Sequence, residues 1–300
     1  MTTTTSPVAP FDRRRLFTRV RPRRRPGGRR IELWAGVLVL GAVVASCVLV
    51  PLIDHTDPNA FVAPPFQAPS ANHPFGTDSY GRDVFVRVFH AGRLDLVIAT
   101  VALVLSSVIG TFVGMVAGAS RARWVEPVAM RIVDAIVAFP FIVLTLAIVA
   151  VAGREWAVLG LPAGAAAVIL SVVLVEWTLY ARLARSQTLT LRDRDYVVAA
   201  RTLGYSAPRI VLRHLLPGVG RTTASYAVAD AILIIIWTAS LSFLGLGIQA
   251  PAADWGSMMF EGRAVMSQAW WITTIPGAMI VLTGLALSAI GDSLLEVRSR

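Results

Sequence analysis

Lysine is absent from this 300-residue chain, and its 28 basic residues are all arginine. A nucleotide-binding P-loop needs a lysine to reach the β- and γ-phosphates, so that motif is excluded. A Schiff-base mechanism is excluded for the same reason. Any ATP that drives this protein is therefore bound by another subunit. Cys47 is the single cysteine, so no internal disulfide forms. It sits in an apolar run and reads as a small core hydrophobe. The four histidines, His55, His73, His90 and His214, are scattered and lack metal-ligand spacing. Nothing in the sequence groups a serine, a histidine and an aspartate for nucleophilic chemistry. The expectation is a chain with no catalytic residue, cofactor or metal of its own. Charge is scarce as well, at 15% against 55% hydrophobic residues. That balance excludes an ordinary soluble domain.

What is present is a series of long apolar runs, expected as membrane helices. They cover 33–53, 96–120, 132–153, 162–180, 222–244 and 271–294. The third run is interrupted by Asp134 and Pro140, the fourth carries Glu176 late, and the fifth contains Asp230. The fold class is all-α and polytopic, with about six transmembrane helices. The organisation reads as an Arg-rich disordered cytoplasmic tail at 1–30, a first transmembrane helix at 31–53, an external segment at 54–93, and a core domain at 94–300. The tail holds ten arginines and one acid, Asp12, which accounts for most of the net charge of +10. A nucleic-acid reading fails, because the charge lies in one tail and not on a folded patch.

Orientation follows from the arginines between the runs. With the N-terminus inside, 23 of the 28 fall on inside segments. Both termini and the 186–217 loop are then cytoplasmic, in a plasma or inner membrane. The outside segment 54–93 begins irregular and ends in a helical pattern. Val84, Phe85, Val88 and Phe89 share one face, opposite Arg82 and Arg87, which suits a short amphipathic helix at the membrane surface. Gly110, Gly114 and Gly118 make a stripe at spacing four, which lets two helix backbones touch. Trp255 suits the outer interface.

The polar stretch 193–217 divides into two short helices. Tyr196, Ala199, Ala200 and Leu203 recur at helical spacing and are expected to share a face. Gly204 supplies the positive φ that ends the first helix. Ser206 is expected to cap the second, Pro208 to sit in its first turn, and Pro217 to close it. Such a loop between membrane spans looks like a docking part.

Val198-Ala199-Ala200, Gly204 and Leu216-Pro217 resemble the EAA loop of binding-protein-dependent ABC importer permeases. Val198 stands where that family usually has glutamate, and His214 where isoleucine is common. Two further stretches resemble the dipeptide/oligopeptide/nickel subfamily: the run from His73 to Arg93, and SLSFLGLGIQAPAADWGSMM at 240–259. The resemblance implies a type I ABC importer permease fold and an ATPase-coupling loop containing Asp195, Tyr196, Ala199, Ala200, Leu203, Gly204, Leu216 and Pro217. It implies a second homologous permease, two ABC ATPase subunits that bind ATP and magnesium, and an extracytoplasmic binding protein that delivers di- or oligopeptides. Nickel chelates, glutathione or another small solute are alternative cargoes, and a stand-alone secondary transporter is the rival mechanism.

Three acids lie within the runs. Asp134 and Glu176 fall near cytoplasmic ends, where Arg131 or Arg182 is an expected partner. Asp230 is deeper, and either lines the pathway or meets a polar group on a partner subunit.

Overall fold

The computed structural model describes residues 26–153 and 160–297. The expected tail therefore lies almost entirely outside the described residues. Ten α-helices follow in chain order: α1 (Pro26–Ile53), α2 (Val84–Ala119), α3 (Val125–Val137), α4 (Phe141–Ala152), α5 (Ala165–Arg192), α6 (Asp195–Thr202), α7 (Ala207–Ile210), α8 (Leu216–Phe243), α9 (Trp255–Gly262) and α10 (Trp271–Val297). Among the described residues there is no strand, only an isolated bridge between Thr77 and Asp83. Among the described residues five helices are long and apolar enough to cross a membrane, and α3 with α4, bent by 93° at their junction, pass the same test as a pair. Large apolar side chains stay exposed, among them Phe112 at 63% and Leu285 at 64%. Lipid, not water, suits such a surface.

Helix directions follow from the close contacts. Gly110, Gly114 and Gly118 of α2 meet Tyr180, Ala184 and Thr188 of α5 in that order. Numbers rise together, so α2 and α5 run parallel. The chain between them must return across the bundle, and α3 with α4 provide that crossing. Pro140 explains the break, because the residue before a proline is pushed out of helical geometry. Going the other way, Gly218 of α8 meets Leu191, and Asp230 bonds to Tyr180. α8 is therefore antiparallel to α5. Gly284 and Gly291 of α10 approach Ile232 and Ala229, and Gly36 of α1 lies against Ala286 and Ile290. Residues 54–83, 160–164 and 244–270 thus share one face. Residues 120–124 and 193–215 share the other with the start of α1 and the end of α10.

The first face is closed by polar contacts. Arg82 bonds Asp78 at 2.6 Å and Glu261 at 3.0 Å, and Arg87 adds a 3.4 Å contact to Glu261. Trp271 donates its indole N–H to the Thr77 carbonyl, and Trp255 to that of Val88. Asp254 caps α9 through a reciprocal box with Ser257, and burial pushes its carboxyl up from its ordinary range.

Two expectations are corrected here. No separate surface helix precedes the second span. Asp83 caps α2 by accepting from Phe85 and Val86, and the helix runs unbroken for 36 residues. Arg82 and Arg87 are buried, not solvated, because Asp78 and Glu261 neutralise them. Trp255 is likewise fully buried, against Gly92 and beside Cys47, not at an interface.

Candidate coupling surface and intramembrane acids

On the second face, α6 and α7 project from the ends of α5 and α8. Arg192 anchors the entrance by donating to the Gly118 carbonyl at 3.0 Å. Arg185 pairs with Glu126, and Arg182 with Asp134 at 2.7 Å. These contacts tie α5 to α3 and to the end of α2.

α6 ends in a two-bond cap around Gly204, whose φ is +80°. The Tyr205 N–H bonds the Ala200 carbonyl at 3.1 Å, and the Gly204 N–H bonds that of Arg201 at 2.9 Å. This is the Schellman arrangement, which needs a left-handed residue at the turn. Val197, Ala200, Ile210 and Leu215 form a small core beneath, with Ala119 and Leu191 packed against it.

That core divides the expected face. Ala200 points inward and is 4% exposed, whereas Tyr196, Ala199 and Leu203 are exposed, Leu203 at 73%. The inward stripe is Val197 with Ala200, at the same three-residue spacing that also links Tyr196 with Ala199. Asp195, Gly204, Leu216 and Pro217 are exposed too. Leu212, at 62% exposed, belongs to this surface and was not singled out from sequence. Its signal was available: an apolar residue inside an arginine-rich loop.

The second helix also departs from expectation. Ser206 occupies the cap position of α7 without a side-chain bond. Pro217 does not close the helix. A π-turn at Val211–Leu215 joins α7 to α8, and the Leu216 N–H reaches back five residues to Val211. Pro217 falls in the first turn of α8, where its missing N–H costs little. Beside this turn Tyr205, Arg209, Arg213 and His214 line a shallow groove, and the Arg209 guanidinium lies over the Tyr205 ring at 5.5 Å. Exposed aromatic and aliphatic side chains ringed by arginines make a surface suited to protein docking.

The three acids separate. Asp134 has its arginine. Glu176 does not: it is 4% exposed, and its Oε2 has no hydrogen-bond partner. The Tyr180 hydroxyl donates to Asp230 at 2.8 Å, and Asp230 is 1% exposed. Asp230 is thus enclosed within its own chain, bonded by α5. Helix rotation decides this: Tyr180 of α5 faces α8, and Glu176 lies one turn before it. The glycine stripe faces α2 against α5, and a Cβ on Gly114 would overlap the Ala181 carbonyl. Among the described residues no group of three or more His, Cys, Asp or Glu is placed to hold a metal ion.

Comparison with known proteins places this architecture. Residues 110–300 match the family described as "Binding-protein-dependent transport system inner membrane component". A putative peptide transport system permease protein of Brucella suis is 38% identical over 90% of this chain and 88% of its own length. The dipeptide transport system permease protein DppC of Alkalihalophilus pseudofirmus is 33% identical over 86% of this chain and 82% of its own. Among solved structures, a chain of the MetNI methionine ABC transporter in an inward-facing conformation superposes with a TM-score of 0.58 at 18% identity. It covers 71% of this chain and 97% of its own length.

Proposed function

This chain belongs to the family of binding-protein-dependent transport system inner membrane components, and we propose that it is the permease subunit of an ATP-driven importer of di- and oligopeptides. The observation that carries the mechanism is the exposed surface at 195–216, set on the face opposite the polar cap. Helices that fold back on their own small core, yet leave Tyr196, Leu203 and Leu212 exposed, are shaped to receive another protein. The peptide cargo is supported by the relatives named as peptide and dipeptide permeases.

In this reading one of two ATP-binding-cassette subunits docks on the 195–216 surface, the other docks on the matching loop of the second permease, and the pair carries the ATP and magnesium. The chain itself hydrolyses nothing and holds no cofactor. A second, homologous permease completes a heterodimer, and the pathway runs between the two. An extracytoplasmic binding protein delivers peptide to the capped face. Closure of the ATPase dimer draws the docking loops together, and the bundles rock between inward- and outward-open states. ATP drives this change only by binding one state better than the other. The arginine distribution supports a cytoplasmic docking face and cytoplasmic termini, in a plasma or inner membrane.

The test is reconstitution of the chain with its second permease, both ATPases and the binding protein in proteoliposomes. ATP-dependent uptake of dipeptides, faster than uptake of a nickel chelate or glutathione, is expected. Proton-driven uptake by this chain alone, insensitive to vanadate, would assign a secondary transporter instead. Reporters after Arg300 and at Arg192 should read cytoplasmic, and one at Asn59 external. An external signal at Arg192 would overturn the docking assignment.

A further inference from the structure

The loop from 193 to 217 carries four arginines, Arg194, Arg201, Arg209 and Arg213, against two acids, Asp193 and Asp195. Asp193 lies beside Arg192 at 3.7 Å. The acids of α3, Glu126 and Asp134, are held by Arg185 and Arg182. Among the described residues no carboxylate pairs with Arg209 or Arg213.

These two arginines line one groove with Tyr205 and His214. Local structure brings the four together. Tyr205 follows the Gly204 cap, and the Arg209 guanidinium lies over its ring at 5.5 Å. The π-turn at Val211–Leu215 carries Arg213 and His214. His214 is half-buried, and its ring lies 6.0 Å from that of Tyr205 and 6.4 Å from that of Tyr196. Its Nε2 is enclosed and has no hydrogen-bond partner among the described residues.

The groove encloses about 310 Å³, roughly ten times the share of one water. That is room for a side chain and not only for an ion. Its polar lining is two guanidiniums, which only donate, with a phenol and an imidazole that each carry a donor. The group that suits it is an anion with two acceptor oxygens. A guanidinium meets a carboxylate in that way, through two parallel N–H bonds.

The neighbours of the groove select the source of that anion. Leu203 stands two residues before Tyr205, and Leu212 stands between Arg209 and Arg213; both are exposed. Apolar side chains interleaved with charged donors call for a partner that covers both, as a protein surface does. A solvated phosphate would neutralise the arginines and leave the leucines bare. The ATPase subunit proposed to dock on this loop is such a partner, a choice that rests on the importer reading.

We propose that the groove of Tyr205, Arg209, Arg213 and His214 is a carboxylate-binding site that receives an acidic side chain of the docked ATPase subunit. It supplies the charged part of an interface whose apolar part is Leu203 and Leu212. Such a contact steers and orients the partner, and it weakens as salt screens the charges.

The test is binding of the purified ATPase subunits to the permease pair in phosphatidylcholine nanodiscs, at low and at high salt. Wild type should bind more weakly at high salt. Arg209→Gln with Arg213→Gln should lower affinity about tenfold at low salt and flatten the salt dependence. Arg209→Lys with Arg213→Lys should keep the salt dependence, because the charge remains. Melting of the permease pair, measured alongside, separates a lost contact from a lost fold. If the glutamine pair melts early, Arg213→Gln alone, which leaves the Arg209–Tyr205 stack in place, supplies the same readout. Equal affinity and equal salt dependence in wild type and the glutamine variant would overturn the proposal and leave the importer reading standing. Failure of wild type to bind the ATPase subunits at all would overturn both. A glutamine defect seen only in discs containing phosphatidylglycerol would assign the groove to a lipid phosphate and overturn the proposal.

Discussion

The two faces of the bundle handle charge and apolar surface in opposite ways. On the capped face few arginines occur, and Arg82 and Arg87 are buried in contact with Asp78 and Glu261. Two of its tryptophans, Trp255 and Trp271, are enclosed and hydrogen-bonded to backbone carbonyls, while Trp270 is exposed. On the docking face arginines are many and largely exposed, and Tyr196, Val198, Leu203 and Leu212 have no cover. The charges of the first face are satisfied within one chain, although Phe61 and Trp270 stay exposed. The second is left open, and only its inner layer of Val197, Ala200, Ile210 and Leu215 is satisfied. Mutations on the two faces should therefore fail differently: loss of the fold on one, loss of coupling on the other.

The largest expected effect is on the capped face. Arg82→Ala removes a guanidinium 2.6 Å from Asp78 and 3.0 Å from Glu261. Asp78, 2% exposed, is left to the more distant Arg87. Breaking one partner out of a buried pair costs about 3–5 kcal/mol. The measurement is the yield and melting temperature of the purified complex. Equal melting of wild type and variant would show that the cap is not self-sufficient. Gly114→Leu comes next, at the α2–α5 seam that joins the faces. Its side chain would overlap the Ala181 carbonyl and crowd Ala184. Overpacking of this kind costs about 1–3 kcal/mol and more where backbone must move. Assembled complex should fall; unchanged yield would mean that the helices separate at no cost.

Much of this was legible before any coordinate. Long apolar runs gave the crossings, and the spacing of Gly110, Gly114 and Gly118 marked a face that the structure sets against α5. Gly204 marked the helix end because a left-handed turn has few other solutions. The failures share a cause. Arg82, Arg87 and Trp255 were read as surface residues because charge and amphipathic rings usually seek water. Their burial depends on Asp78, Glu261 and Val88, and Glu261 lies 179 residues from Arg82. Local patterns carry no information on such partners. Ala200 and Glu176 were misplaced by rotation: a spacing of three or four residues names a stripe but not the neighbour that the stripe meets. Pro217 was read as a stop because a proline usually ends a helix, but the π-turn before it lets the helix continue.

On the docking face the next effect is functional, not structural. Leu203→Asp with Leu212→Asp places two charges on residues 73% and 62% exposed. Surface substitutions away from special features usually stay within about 0.5 kcal/mol. Melting of the isolated permease pair should hold, while ATPase binding and ATP-driven uptake fall at least tenfold. Retained coupling would move the docking surface elsewhere. Ala200→Arg is the internal control: the side chain is buried in the loop core, so it should lose the loop fold along with coupling.

The smallest effect sharpens the comparison most, because it isolates conformation from contact. A Cβ added at Gly204 meets nothing within 4 Å, yet the residue sits at φ +80°. Any cost of substitution there is backbone strain alone. Left-handed geometry costs an L-residue with a Cβ about 1–2 kcal/mol, and asparagine tolerates it better than alanine or a β-branched residue. The expected order of damage is therefore Gly204→Val, then Gly204→Ala, then Gly204→Asn. The strain falls on the cap that joins α6 to α7, far from the Arg82 network and the α2–α5 seam. Bundle melting should not move, while ATPase affinity falls by about fivefold to thirtyfold for alanine, the equivalent of that strain. The measurement is ATPase binding to the purified permease pair, beside its melting curve. If all three variants bind alike, the cap does not shape the docking surface. If melting falls with binding, the loop core is continuous with the bundle, and the two faces do not fail separately.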